Sequence, residues 1–338
     1  MPENTTQQAG GRALPDLSIV IVCYKGWGRL IKCLSSLNSF TGKNISTEVI
    51  VVDNRSDDER IFSIERQFPN FKFIHNPING GFASGCNLGS KNAEGEFILF
   101  LNPDTVASEA SIEELVNTAR RNSDFAITSC RQVNEVGKEC VTSGSFPSFF
   151  NLTGWLRAIF GISRSRIGAK DNPESGISFP DWISGSVVLI RRETIKELKG
   201  FDEDFWMYFE DVDLCRRVRD IQGEVALCRN ITIEHNHGGS SRVNLRTTSL
   251  AKTEVHISRH VYISKHKTGL ENILMQAFLV SNNLVTGAIM ASLGLLCFFV
   301  PKAFSSTLIY FGLIKYYAGA VIRLSWMSPR SVNFRERS

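Results

Sequence analysis

The chain has 338 residues, 43% hydrophobic and 21% charged, which gives it length for one large domain or two small ones and apolar content for a substantial core. Its net charge of +4 comes from basic residues spread thinly among apolar runs, which excludes the clustered basic face of a nucleic-acid binder. The eight cysteines (Cys23, Cys33, Cys86, Cys130, Cys140, Cys215, Cys228, Cys297) form no CxxC pair and no zinc-like spacing; most fall in apolar patterns, as free buried thiols in a reducing compartment do.

Residues 1–15 are polar, lack a signal-peptide hydrophobic core and read as a disordered arm. The continuous apolar run Leu17 to Cys23 is that of a strand covered on both faces. Leu30, Ile31, Leu34 and Leu37 recur at helical spacing. Val49 to Val52 is a second strand ending at Asp53-Asn54, and Ile61, Ile64 and Phe68 mark a second helix. Phe71 to Ile74 is a third strand, Ala83 to Ala93 a helix behind a glycine turn, and Phe97 to Leu101 a fourth strand. This alternation predicts a parallel, doubly wound sheet with ligands at the carboxyl ends of its strands, where Asp53 and Asp104 both fall. After Cys130 the pattern loosens. Residues 131–180 are rich in Ser, Gly, Pro and Phe, carry the cluster Arg164-Ser165-Arg166, and read as a loop region or substrate lid. Order returns over Trp182 to Ile190, followed by a helix near Glu193 to Leu198, another after Asp211 and a strand at Val225 to Leu227.

From Lys265 onward eight Lys/Arg stand against two Glu, so this tail carries +6 and the rest of the chain −2. Leu284 to Val300 is a charge-free run closed by Pro301, slightly short of the ~20 residues of a simple span. Leu308 to Leu324 holds Lys315 near its middle; a mid-bilayer Lys costs roughly 2.5–3.5 kcal/mol, so this run fits the membrane interface better than its centre. A pair of core helices would give the same pattern, but the basic and apolar character of the tail favours a membrane surface.

Five constellations carry chemistry. The strand Phe97 to Leu101 runs into Asn102-Pro103-Asp104, where Pro103 stiffens the turn and holds two oxygen ligands suited to a hard divalent ion. At the second strand's end, either Asp53 accepts a nucleobase N–H or the run Asp53 to Asp58 serves only to cap the next helix through Ser56 or Asp57. Asn79-Gly80-Gly81-Phe82 opens a helix whose backbone N–H groups can hold a diphosphate or sugar. A dinucleotide fingerprint is excluded there, because these glycines follow the third strand and not the first. Five large side chains from Phe205 to Phe209 precede Glu210-Asp211, where desolvation raises a carboxylate towards the range of a general base. Asp213 and Arg217 form an ordinary i,i+4 pair. His235 and His237, flanked by glycines at a strand end, suit a metal or phosphate contact.

With these segments in view, the sequence resembles the inverting glycosyltransferases of family 2, in particular the rhamnosyltransferase-like group that builds bacterial surface polysaccharides. The resemblance rests on Val51-Val52-Asp53-Asn54, Asn79-Gly80-Gly81-Phe82-Ala83, Leu101-Asn102-Pro103-Asp104-Thr105, Trp182-Ile183-Ser184-Gly185 and Phe209-Glu210-Asp211-Val212-Asp213-Leu214. The family's usual Asp-x-Asp is here Asn102-Pro103-Asp104. The resemblance implies an α/β, GT-A type, doubly wound and mostly parallel sheet over residues 16–266; the tail over 267–338 lies outside it and reads, from its charge and apolar runs, as membrane-associated helices. It implies a base at Asp211 with Glu210 beside it, and a Mn2+ or Mg2+ site from Asp104 with His235 or His237, His235 being favoured by its spacing to Ser240. Donor contacts would come from Tyr24, Asp53, Asn54, Asn79, Gly80, Gly81, Phe82, Asn87 and Asn102, and acceptor contacts from Trp182, Ser184 and Gly185. The implied donor is dTDP-L-rhamnose or a related nucleotide sugar, the acceptor a polyprenyl-linked saccharide, and the place the cytoplasmic face of a bacterial inner membrane. A nucleotidyltransferase would instead want a basic glycine-rich loop after the first strand, where Cys23 to Arg29 offers only two Gly and two basic residues. A non-catalytic membrane scaffold would not need three acidic sites in register.

Overall fold

The computed structural model describes residues 14–162, 176–236 and 244–337. Most of the expected N-terminal arm, the Arg164-Ser165-Arg166 cluster and His237 lie outside the described residues.

The first half alternates as its periodicity predicts: β1 (Leu17–Cys23), α1 (Trp27–Asn38), β2 (Thr47–Asp53), α2 (Arg60–Gln67), β3 (Lys72–His75), α3 (Gly81–Lys91) and β4 (Phe97–Leu101). These four strands are parallel, in the order β3-β2-β1-β4. A two-residue strand β5 (Thr105–Val106) follows, then α4 (Glu109–Arg121), whose first turn is capped by the Ser108 hydroxyl accepting the Ser111 N–H at 3.2 Å, and β6 (Phe125–Val133).

Beyond β6 come β7 (Ser143–Gly144), a 3-10 turn at Phe149–Asn151, α5 (Gly154–Ile159), β8 (Ile177–Ser178), β9 (Trp182–Ile183), β10 (Val187–Arg191), α6 (Arg192–Glu197), α7 (Glu210–Asp220) and β11 (Glu224–His235). The run Trp182 to Ile190, which reads as one ordered stretch, is broken at Ser184-Gly185-Ser186 into two strands of different sheets. There the Ser184 N–H donates to Thr142 O (2.7 Å), while Ser186 O accepts the Asn102 N–H (2.9 Å). β10 then enters the main sheet antiparallel between β4 and β6, so the sheet is mixed though mostly parallel. β11 pairs parallel with β6 and antiparallel with β5.

One apolar layer packs α1, α2 and α4 on one face of the sheet through Leu30, Leu34, Ile61, Ile64, Ile112 and Leu115. The other packs α3, α6 and α7 through Ala83, Cys86, Ile195, Leu214, Cys215 and Val218. Burial on both faces is the reason these strands are continuous apolar runs.

The chain ends in α8 (Leu245–His266), α9 (Gly269–Leu296), α10 (Pro301–Arg323) and α11 (Val332–Arg337). Among the described residues α9 is the one helix long and apolar enough to cross a membrane by length and composition. Neither end of this helical region is detached from the sheet. Phe205 and Val212, next to and within the first turn of α7, share a buried cluster with Ile257, Val261 and Tyr262 of α8 and Leu313, Tyr316 and Tyr317 of α10. After α10 the chain turns back. Arg330 Nη1 bonds the fully buried Glu254 carboxylate (2.6 Å), and Asn333 Nδ2 donates to Asp204 Oδ1 (2.8 Å).

Candidate active site

The candidate residues gather along the carboxyl edge of the parallel strands. Register places Cys23, Asp53 and His75 side by side at the ends of β1, β2 and β3. Asp53 is buried; its Oδ1 accepts the Ser56 N–H (3.1 Å), and Oδ2 lies 3.8 Å from His75 Nδ1. Asp53 thus closes the local turn at Ser56, and the N-cap position of α2 falls to Glu59, neither Ser56 nor Asp57. Tyr24 stands exposed next to it, with the Lys25 ammonium 5.3 Å from its ring centre.

The glycine turn is held from three sides. Asn54 is buried, and its Nδ2 donates to Gly81 O (2.9 Å) and Asn79 Oδ1 (3.3 Å), while its Oδ1 accepts from Asn76 (2.9 Å). With its amide engaged in this way, Asn54 shapes the turn and has no hydrogen left to offer a donor. Gly81 is at φ +88°, and a Cβ there would come within 1.8 Å of Trp206 O. The Phe82 N–H donates to that same carbonyl (3.0 Å). Gly80 is closed off by Val332 of the returning chain end. Asn87 corrects the expectation placed on it. Both its amide hydrogens go to Phe201 O (2.8 Å) and Glu203 Oε1 (2.7 Å), and its oxygen accepts the Phe201 N–H (2.8 Å), so it pins α3 to the 201–203 turn.

Asp104 and His235 are brought together by the short β5–β11 pairing, in which His235 faces Thr105 and the Asn236 N–H donates to Asp104 O (2.9 Å). Asp104 Oδ1 is 3.3 Å from His235 Nε2. On its far side the imidazole meets Gln132: His235 Nδ1 is 2.7 Å from Gln132 Oε1, which also accepts the Ser186 hydroxyl (2.7 Å). In a neutral ring this places the proton on Nδ1 and turns the Nε2 lone pair towards Asp104. Adjacent ligands of an octahedral ion with ~2.1 Å bonds stand about 3 Å apart. The separation and the hard oxygen plus imidazole donors therefore fit a divalent cation. Among the described residues no third His, Cys, Asp or Glu joins them, so such an ion would keep positions open for substrate oxygens. Asn102 positions this turn through its backbone, its carbonyl accepting the Thr105 hydroxyl at 2.8 Å.

Asp211 opens α7, after two aromatic residues, Tyr208 and Phe209, held in the left-handed region at φ 71° and 67°. That conformation is costly for bulky side chains and sets the angle at which α7 starts. Asp211 Oδ2 accepts the Gly185 N–H and Oδ1 the Val212 N–H, each at 2.8 Å. Burial pushes its carboxyl above the ordinary carboxylate range, against the pull of these N–H groups. Glu210 is more deeply buried; desolvation and the Asp211 charge raise it well above the usual value, and its Oε2 has no hydrogen-bond partner among the described residues. Asp213 is occupied structurally by Arg217 Nε and His266 Nε2, both at 2.7 Å. Of the residues expected to contact an acceptor, Trp182 donates its indole N–H to Ser145 O (3.0 Å), and the Ser184 hydroxyl lies 3.0 Å from that of Ser186.

Gln132, Ser186 and Trp206 carry no site role in the sequence pattern. An unbroken path runs from Asp104 through His235, Gln132 and Ser186 to Gly185 and Asp211, and it joins five segments of the chain. The residues that complete it carry no motif; the available signal was the continuation of the β6 pattern past Cys130.

Comparisons with known proteins bear on the fold and the enzyme class. Residues 18–175 match the sequence model of glycosyl transferase family 2. The low-salt glycan biosynthesis hexosyltransferase Agl10 of Haloferax volcanii is 28% identical over 232 residues, covering 66% of this chain and 68% of its own. The N-acetylglucosaminyl-diphospho-decaprenol L-rhamnosyltransferase of Mycobacterium tuberculosis is 25% identical over 224 residues, covering 60% and 70%. The mannosyltransferase PcManGT of Pyrobaculum calidifontis, solved with GDP-Man and Mn2+, superposes over 90% of this chain and 87% of its own with a TM-score of 0.53 at 13% identity, a likeness of fold. The family match ends before α7 and β11, so Asp211 and His235 stand outside it, and the fold brings them to the same edge. Residues 18–175 are a glycosyl transferase family 2 domain on the GT-A fold, and the protein that carries it is a glycosyltransferase.

Proposed function

We propose that the protein transfers a hexose, L-rhamnose from dTDP-rhamnose in the first instance, to a polyprenyl-linked saccharide with inversion, at the cytoplasmic face of a bacterial membrane. The observation that carries this reading is the path of contacts that joins the Asp104–His235 pair to the Asp211 carboxylate. The rhamnosyl and hexosyl transfer named for the relatives supports the sugar class.

In this reading Asp53 accepts a nucleobase N–H, and the Asn79-to-Phe82 turn lies under the sugar nucleotide. Asp104 and His235 hold a Mn2+ or Mg2+ ion, which when bound neutralises the charge of the departing diphosphate and takes the place of a general acid. Asp211 accepts the proton of the acceptor hydroxyl as its oxygen bonds to the anomeric carbon, and the carbon–oxygen bond to the diphosphate breaks with its electrons. Trp182, Ser184 and Gly185 border the acceptor. A single displacement from the side opposite the diphosphate inverts the centre. Membrane attachment is supported by the basic tail and by the length and composition of α9.

A panel of nucleotide sugars, incubated with a lipid-linked saccharide and assayed for acceptor-dependent nucleoside diphosphate release, tests the proposal. The expected outcome is release from dTDP-rhamnose that stops in excess chelator. Release from another sugar nucleotide alone would replace the donor, and undiminished release in chelator would remove the cation.

A further inference from the structure

Segment 149–160 presents an apolar surface that the catalytic reading leaves unexplained. It is split into two faces. Leu152 and Leu156 point inward and are buried against Ile263 of α8 and Met275 and Leu279 of α9. Phe149, Phe150, Trp155, Ile159 and Phe160 point outward and are 38–69% exposed, five large apolar side chains within twelve residues. The outward rings form a group, with Phe150 5.0 Å from Phe160 and 6.1 Å from Phe149 between centroids. They are fixed to α9: Phe149 and Trp155 lie 5.3 and 5.8 Å from Phe278, and the Trp155 indole N–H donates to Asn282 Oδ1 (3.1 Å).

We propose that this segment is a second membrane-contacting element, lying in the interfacial layer of a lipid bilayer beside α9. Three observations select a bilayer as the occupant. The aromatic residues continue the exposed face of α9, where Ile273, Leu274, Val285 and Ile289 stand in the open. No Asp, Glu, Lys or Arg occurs from residue 272 to residue 301, and the one charge within 149–160 is Arg157, so the combined surface is apolar with a basic residue suited to anionic headgroups. The side chains that stand out are mainly Phe and Trp, whose flat rings partition well into the headgroup boundary.

The position gives the contact a purpose. β7, four residues before Phe149, pairs with β9, and Trp182 and Ser184 bond back to Ser145 and Thr142. The aromatic ledge is thus joined through a few residues to the strand that borders the acceptor side, so membrane contact here holds that side of the site towards a lipid-linked substrate. The inference rests on the membrane reading above.

The test places an NBD fluorophore on full-length protein with Cys140 and Cys297 replaced by Ser, at Ile159→Cys, at Leu296→Cys on α9, or at Val136→Cys on an exposed turn far along the chain from both. Each is mixed with phosphatidylcholine/phosphatidylglycerol vesicles containing doxyl-labelled lipid. Quenching at positions 159 and 296 but not 136 is the expected result. Quenching at 296 alone would overturn the ledge and leave the membrane reading in place. Quenching at neither would remove both. Shielding of position 159 from aqueous iodide that grows with protein concentration and without lipid quenching would assign the face to a second copy of the chain, overturning the proposal. Phe150→Ser with Phe160→Ser should raise KM several-fold for a lipid-linked acceptor and leave it unchanged for a short soluble one.

Discussion

The Gly185 N–H points at Asp211 Oδ2 from 2.8 Å, so the carboxylate proposed as base is aimed by the backbone of the Ser184-Gly185-Ser186 turn between β9 and β10. A Cβ on Gly185 would stand 3.2 Å from Phe82 and 3.4 Å from Asp211, which packs the start of α3, this turn and the start of α7 against one another at one point.

Asp211→Asn keeps the shape of that contact and removes the proton acceptor. Turnover should fall roughly 10²–10⁴-fold while donor binding persists. Because burial raises the carboxyl of Asp211 and the base acts deprotonated, activity should be lost as pH falls through that raised value. The acidic limb of kcat/KM should therefore lie above the ordinary Asp value of 3.8. Near-normal turnover of the Asn variant would move the role to Glu210.

Asp104→Ala should weaken Mn2+ binding and donor binding together, read by the EPR signal of free Mn2+ and by equilibrium dialysis of the nucleotide sugar. Gln132→Met should weaken the ion roughly 10–100-fold without touching it, because the imidazole of His235 loses the carbonyl that orients it. Gln132→Glu, which keeps an acceptor there, should restore most of the affinity. Equal affinities in the Met and Glu variants would show that Gln132 only fills space.

Gly81→Ala combines a left-handed backbone, worth about 1–2 kcal/mol against alanine, with a Cβ driven into Trp206 O. It should lower the thermal midpoint and abolish donor binding. Gly28→Ala, where no atom of the described residues lies within 4 Å of an added Cβ, serves as the control and should neither lower the midpoint nor affect donor binding.

Truncation after Thr268 would strip Leu313, Tyr316 and Tyr317 from a cluster shared with Phe205, Val212 and Val261. The shortened chain should therefore aggregate, although the run of apolar helices looks detachable on paper. A milder test is Arg330→Ala, which leaves the buried Glu254 carboxylate with Ser328 as its remaining partner among the described residues and should cost about 1–3 kcal/mol. An unchanged urea midpoint in this variant would show that the chain end is not held through Glu254.

The sequence by itself determined the sheet's first half and the list of chemical groups. Unbroken apolar strands, helical spacing and punctuation by Gly, Pro and Asx are local properties, and they place Asp53, Gly81, Asp104 and Asp211 at element ends without help from distant residues. Only the tertiary structure decided which of those groups meet. Asp104 reaches His235 through a two-residue strand too short to carry a periodic signal, and Gln132 joins them from a third segment. β10 runs against its neighbours because the chain re-enters the sheet after a turn whose bonds go to Thr142 and Asn102, partners far off in sequence. Asn54 and Asn87 read as ligands by type and became struts by position, since an amide is committed by whichever backbone groups surround it. The helical tail likewise shows its apolar face in its composition, and only packing reveals which part of that face the catalytic half already covers.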